Sequence, residues 1–416
     1  MGKLKELSNT LIRWAERKTR LNLRHHLKGW AWLMSGQVVG TLSALLLALG
    51  YAHFIPKEVY GTYKYILSVL GILAVFTLPG MGDAASRAIA QGKDGPFWPT
   101  FYARLRFGTI GAVISALVGI YYFTLGNSLL GAIFCAVAPF LVFSESFSHY
   151  QALLLGRQLF RTYSISGVIL QLAASVSIFL VVITTDNIFI IVLAYFAIFT
   201  ILRGLLLLYV IRKYPLNGLP DTGALRYGGH MSIANILNAG SGQLDIILLW
   251  HFLGPIPLAI YAFAQAASDQ ARKAFKLVTT AMAFPKLASL ETQFIKRELP
   301  HKILLAHGIT IPLAILLAGI VPYVYTLLFP TYTESIPYAQ VMMLLLAFSP
   351  IRLISTAINA KGSIRDIYLM NVSGSVLQTI LLLILIPSFG LWGAILATPL
   401  QSLISNILFI RIFRSL

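Results

Sequence analysis

Long apolar runs separated by short polar breaks dominate this chain. A helix that crosses a bilayer needs about 20 mostly apolar residues. Such runs fall near 29–52, 60–85, 105–125, 128–151, 163–184, 187–211, 227–252, 258–284, 303–328, 336–358, 367–386 and 390–412. They predict twelve transmembrane helices, numbered 1 to 12 below. The tightest breaks hold Gly126-Asn127, Thr185-Asp186 and Pro387-Ser388, residue types that turn the chain between one run and the next.

Composition narrows the class. Hydrophobic residues make up 57% of the chain and charged residues 11%, where a soluble protein carries about 25% charged. A soluble enzyme, a disordered chain and a disulfide-stapled secreted protein are excluded. The single cysteine, Cys135, cannot close an intrachain disulfide. The first apolar run, from Gly29, is too long for the apolar core of a cleavable signal peptide.

Charge orients the helices. The chain carries 32 Lys+Arg against 14 Asp+Glu, a formal net charge of +18. Twelve helices with both termini on one side place all bases except Lys57 and Lys64 on that side, or in helix ends that open to it. By the positive-inside rule that side is the cytoplasm. The expected location is the inner (cytoplasmic) cell membrane, multi-pass, with both termini cytoplasmic. Topology and contact with membrane lipids then account for the basicity, and nucleic acid is not needed as a partner. Residues 1–28 carry Leu4, Leu7, Leu11 and Trp14 at helical spacing, with Arg13, Arg17, Lys18 and Arg20 elsewhere. This segment is either an amphipathic helix on the anionic leaflet or a basic leader that fixes topology.

A weak internal repeat divides the rest. His53-Phe54 and Tyr63 recur as His251-Phe252 and Tyr261 at an offset of 198. Ser166 to Gln171 in helix 5 resembles Ser373 to Gln378 in helix 11 at an offset of 207. The expected fold is an all-α polytopic membrane protein with two six-helix pseudo-symmetric bundles, 29–215 and 216–416, around a central cavity. Parallel repeats of this kind point to a transporter with its site between the halves.

Ionisable side chains within a membrane are costly and mark cavities or partners. Helix 8 has the densest set. Tyr261, Gln265, Asp269, Arg272 and Lys276 fall on one stripe at about 100° per residue, with Lys273 set to its side. Asp269 can pair with Arg272 or Lys273, which leaves the stripe net positive. Arg offers a planar fork for phosphate oxygens and Lys a point charge, so the stripe suits a diphosphate or acidic sugar. The rival reading ends helix 8 early and leaves these bases in the cytoplasm. Helix 2 offers Asp83 and Arg87 below Pro79, Gly80 and Gly82, residues that permit a kink or close approach. Arg87 either lines the cavity mouth or pairs with Asp83. Gln37 in helix 1 either lines the cavity or packs against helix 2. Asp245 in helix 7 either serves as a coupling or gating group with Lys64 or forms a local salt bridge. Glu145 and His149 form an i, i+4 pair in helix 4, read as a structural hydrogen bond, and Arg203 is expected to snorkel to the surface. The chain has no H-E-x-x-H, metal-spaced Cys/His set or nucleotide-binding Gly-rich loop. No catalytic residue, metal or cofactor is expected, and the chain is not read as an enzyme.

Five stretches resemble one known family. Ile55-Pro56-Lys57-Glu58-Val59-Tyr60-Gly61-Thr62-Tyr63 resembles the entry to helix 2 in polysaccharide flippases. Gly80 to Arg87 resembles their small-residue segment that ends in Arg, and Gly156-Arg157-Gln158-Leu159-Phe160-Arg161 their connection after helix 4. Gln243 to Leu249 with Ile260-Tyr261-Ala262 resembles their helix 7–8 region, and Phe284-Pro285-Lys286-Leu287-Ala288 their exit from helix 8. Ile246 stands where the family usually has Arg after the Asp. The resemblance is to the O-antigen and polysaccharide flippases of the multidrug/oligosaccharidyl-lipid/polysaccharide exporter superfamily. It implies a cavity lined by helices 1, 2, 7 and 8, and a polyprenyl-diphosphate-linked oligosaccharide as cargo. It also implies transfer to the outer face by alternating access for surface polysaccharide biosynthesis, with polysaccharide polymerase machinery as a further partner. The alternative is a cation-coupled multidrug or metabolite antiporter of the same fold, which would want a more acidic cavity.

Overall fold

The structure is a computed structural model that describes residues 23–278, 292–361 and 363–415. Side chains are described for these residues except 23–35, 234–239, 241, 273–278, 360, 364, 367, 368, 371, 414 and 415. The basic segment 1–28 therefore lies almost wholly outside the described residues, as do residues 279–284 of the helix 8 prediction.

The described residues are helical nearly throughout, in the order that the apolar runs predict. Helix 1 is Leu23–Phe54, helix 3 Phe97–Thr124, helix 5 Phe160–Thr184 and helix 6 Ile188–Lys213. Helix 8 is Pro255–Val278, helix 9 Thr292–Leu328, helix 11 Ile364–Phe389 and helix 12 Leu391–Ser415. Helices 2 (57–90), 4 (128–156), 7 (224–253) and 10 (330–361) are each broken into shorter pieces. Among the described residues, ten helical stretches are long and apolar enough to cross a membrane. Helix 7 misses that standard because it breaks at 242–243, leaving Leu244–Leu253 as a short apolar helix.

The breaks have local causes. In helix 2 a 3₁₀ turn over Ala74–Thr77 leads to Leu78 at φ 51°, and Pro79 then starts a new helix at Gly80. Proline cannot continue the i→i−4 ladder, so the kink falls at the Pro79 that marked it in the sequence. Between helices 7 and 8 the chain turns at Gly254, whose φ of 83° a side chain would disfavour. Asn127 and Asn187 accept hydrogen bonds from Leu130 and Phe189 backbone N–H groups and so cap helices 4 and 6.

The connections after helices 2, 4 and 6 meet on one face, termed the basic face, where Arg157 reaches Asp94 and Pro215. On the opposite face the two halves meet tightly. A Cβ added to Gly61 in helix 2 would fall 1.9 Å from the Pro255 carbonyl oxygen in helix 8, so only glycine fits. Beside it Tyr60 lies 4.9 Å from the Phe263 ring, which stacks on Tyr332 at 3.7 Å. Lys57 pairs with Glu334 across the same junction at 3.1 Å. Tyr65 of helix 2 also stacks on Trp250 of helix 7 at 4.6 Å. Lower on helix 2, a Cβ on Gly80 would lie 2.5 Å from Ser232 N and 2.7 Å from Gly228 O of helix 7. Small residues thus let helix 2 touch helices 7 and 8 at backbone distance.

On the basic face the linker 214–223 is bolted to the first half. The Asp94 carboxylate accepts from Arg157 and from Asn217 N. Asn217 Oδ1 in turn accepts from Asp94 N at 3.0 Å, and Arg157 also donates to Pro215 O at 2.7 Å.

Candidate functional site

Below the aromatic junction, a column of polar side chains descends between helices 2, 7, 8 and 10. Asp245 sits just after the helix 7 break and is buried, 7% exposed. Its Oδ2 accepts from Tyr261 Oη at 2.6 Å and stands 3.5 Å from Gln265 Nε2. Its Oδ1 accepts from Ile246 N at 2.9 Å. The i, i+4 spacing of Tyr261 and Gln265 aims both donors from helix 8 at this one carboxylate. Desolvated carboxylates within a membrane need such donors.

Lys64 of helix 2 lies 5.4 Å from the Tyr60 ring centroid, within electrostatic reach of Asp269 on helix 8. Asp269 also acts on Asp245. Lys64 and Asp245 each lie within electrostatic reach of Asp269, and no direct ion pair forms between them among the described residues.

One turn further down, Arg272 lies within electrostatic reach of Arg352 in helix 10. Among the described residues neither guanidinium has a carboxylate within salt-bridge distance. Arg272 is half-buried and Arg352 exposed, and an anion bound near both would offset the repulsion between their like charges. In the sequence Arg352 is one more base beside the connection after helix 10. Its register to helix 8 is a tertiary fact, and the lone signal in the sequence was an Arg close behind an apolar run. Lys273 and Lys276 continue helix 8, and their side chains lie outside the described residues.

Other sequence candidates fall elsewhere. Gln37 is half-buried in helix 1, and its carbonyl accepts from Thr41 Oγ1 at 3.0 Å. The neighbouring Gly36 faces Ser164 and Val168 of helix 5, so this stretch packs toward helix 5. Asp83 and Arg87 do not pair with each other. Asp83 is exposed and acts electrostatically on Arg104 of helix 3. The Arg87 guanidinium sits over the Tyr227 ring of helix 7, 4.6 Å from its centroid. The expected Glu145–His149 pair is also replaced. Glu145 Oε1 accepts from Arg203 at 2.7 Å, and Arg104 donates to the Glu145 carbonyl at 2.7 Å. His149 is fully buried and bonds Thr100 Oγ1 at 3.1 Å. Arg203 does not snorkel, because a closer carboxylate satisfies it. No group of three or more His, Cys, Asp or Glu that could hold a metal occurs among the described residues.

Comparison with known proteins agrees with this architecture. The family model "Polysaccharide biosynthesis protein" matches residues 26–291. No curated protein matches in sequence. The fold is similar to a structure titled lipid II flippase MurJ, inward closed conformation, at TM-score 0.64 and 11% identity over 92% of this chain and 87% of that one. It is also similar to outward-facing and inward-facing structures of a multidrug resistance MATE family transporter of the MOP superfamily. The outward-facing one matches at TM-score 0.59 and 14% identity over 93% of this chain and 95% of that one. The inward-facing one matches at 0.60 and 12%, over 90% and 94%. The flippase resemblance in the sequence is upheld by the family match. With nearly two thirds of its length matched, from helix 1 to the end of helix 8, the chain belongs to the polysaccharide biosynthesis protein family.

Proposed function

We propose that this protein is a flippase that moves a polyprenyl-diphosphate-linked oligosaccharide from the cytoplasmic to the outer face of the cell membrane. The glycan serves surface polysaccharide such as O-antigen, capsule or exopolysaccharide. The observation that carries this reading is the Arg272–Arg352 pair, two guanidiniums within electrostatic reach and without a carboxylate at salt-bridge distance. A diphosphate between them converts repulsion into charge-assisted hydrogen bonds. Lys64 adds positive charge along the same column, and helix 8 continues through Lys273 and Lys276. The basic face is the cytoplasmic one by the positive-inside rule, and the junction at Gly61 and Pro255 shuts the opposite side. That asymmetry supports loading from the cytoplasm and alternating access. The prenyl tail stays in lipid, because only the polar head bears a large transfer cost.

A second reading is a cation-coupled antiporter, and Asp245 favours it. A buried carboxylate held by the neutral donors Tyr261 and Gln265 can exchange a proton or cation. In the flippase the same residue serves as the coupling group, so the two readings differ in cargo.

The test is export in cells. Arg272→Glu or Arg352→Glu should cut surface polysaccharide at least about tenfold and leave lipid-linked glycan on the cytoplasmic face, at unchanged protein level. Arg297→Glu, an exposed base near the start of helix 9, should stay near wild type. Normal surface polysaccharide in both column variants, with altered efflux of cationic drugs, would reject the flippase for the antiporter.

A further inference from the structure

Apart from the central column, a cavity of about 270 Å³ opens at the foot of helices 2 and 7 on the basic face. Arg87, Gln91 and Lys93 line it from helix 2 and its exit, and Asp221, Gly223 and Tyr227 from the linker and helix 7. We infer that this cleft binds a phosphate group, carried either by an anionic lipid headgroup or by a soluble phosphorylated compound. The inference does not rest on the transported cargo.

Three features lead there. First, the cleft holds two cations against one carboxylate. Asp94, the neighbour of Lys93, is committed to Arg157 and Asn217, so it does not neutralise Lys93. Asp221 Oδ1 accepts from Gly223 N at 3.0 Å, which turns part of its charge to the backbone. Among the described residues neither Arg87 nor Lys93 has a carboxylate within salt-bridge distance. Second, Arg87 is oriented. Its guanidinium carbon lies 4.6 Å from the Tyr227 ring centroid, a cation–π contact that holds the head at the cleft wall, where its N–H groups can fork to two phosphate oxygens. Third, the volume is just under the roughly 300–1,000 Å³ of drug-sized sites. That suits a phosphate with a short polar stub.

The walls come from both sides of the Gly80–Gly228 contact. An anion that bridges Arg87 and Lys93 to the helix 7 side binds best when that seam is closed, so its binding is linked to the seam's packing.

The experiment uses the full-length protein in neutral detergent at low salt. The probes are inorganic phosphate, short-chain phosphatidylglycerol and phosphatidylcholine of the same chain length. Affinity is read by titration, and backbone protection by hydrogen exchange over residues 80–95 and 221–241. Phosphate or phosphatidylglycerol should bind and protect both segments, with phosphatidylcholine ineffective. The Arg87→Ala, Lys93→Ala double variant should weaken binding at least about tenfold. Arg226→Ala, an exposed neighbour outside the cleft with the same loss of charge, should stay within about twofold. Tyr227→Phe should keep the site and Tyr227→Ala weaken it. Should the double variant fail to fold, Arg87→Gln alone carries the test. A response to phosphate identifies a soluble ligand, and one to phosphatidylglycerol alone identifies a lipid headgroup. Binding of neither probe, equal response to phosphatidylcholine, or equal loss in Arg226→Ala and the cleft variant overturns the proposal.

Discussion

Lys57 and Glu334 join the first turn of helix 2 to the 3₁₀ turn that opens helix 10 at 3.1 Å, on the face away from the bases. Glu334 is 63% exposed, and an exposed pair contributes only about 0–1 kcal/mol. The closure beside it rests on backbone contact at Gly61 and Pro255 and on the Tyr60–Phe263–Tyr332 stack.

This ranks two substitutions. Lys57→Ala should leave closure nearly intact, whereas Gly61→Leu forces a side chain into the Pro255 carbonyl. Overpacking of that kind costs about 1–3 kcal/mol and should open the junction. A cysteine at Phe263, in a Cys135→Ser background, should label from outside at least about tenfold faster in Gly61→Leu than in Lys57→Ala. Equal labelling would show that the ion pair holds the junction after all.

Tyr261 donates the short bond to Asp245. Tyr261→Phe leaves that oxygen with only the longer Gln265 contact and should cost about 2 kcal/mol, seen as a lower Tm in detergent. Asp245→Asn keeps the shape and loses the charge. It should fold with a smaller loss and abolish transport if Asp245 couples it. Full transport in a well-expressed Asp245→Asn would remove Asp245 from the mechanism.

The linker clamp is open to a proteolysis assay. Asp94 is 4% exposed and receives Arg157 and Asn217. Asp94→Ala strips a nearly buried pair of its acid and should cost about 3 kcal/mol. Cleavage between residues 214 and 223 should speed up before the helices unfold. An unchanged digestion pattern would mean that the Gly95–Leu219 backbone bond suffices.

At the start of helix 11, Ser363 and Asp366 form a reciprocal capping box, with Ser363 Oγ donating to Asp366 Oδ2 at 2.7 Å. That hydrogen bond, then the Ser363 backbone N–H, holds the Asp366 carboxyl below the usual range. A depressed folded pKa gives stability that is full above the unfolded value of about 3.9 and is lost as pH falls through the folded one. Ser363→Ala should therefore speed amide exchange at residues 364–367 at neutral pH, with the difference from wild type fading below about pH 4. A difference that persisted in acid would assign the effect to the serine alone.

Much of this protein is written locally in its chain. Apolar length sets where helices form, because a bilayer rewards about 20 residues that hide their own backbone groups. The Pro79 kink, the Asn127 cap and the turns near 126 and 390 follow from single residue types, and the family shows in short motifs. The helix 8 stripe was legible too, since a 3.6-residue period places Tyr261, Gln265, Asp269 and Arg272 on one side. What that side faces was not. Arg352 meeting Arg272, Asp245 choosing Tyr261 over Lys64, Glu145 choosing Arg203 over His149, and Arg87 resting on Tyr227 all depend on the depth and rotation of one helix against another. Those are set by contacts such as Gly61 on Pro255 and Gly80 on Gly228, between residues far apart in sequence. A periodic pattern gives a helix its face, and only packing gives that face a partner.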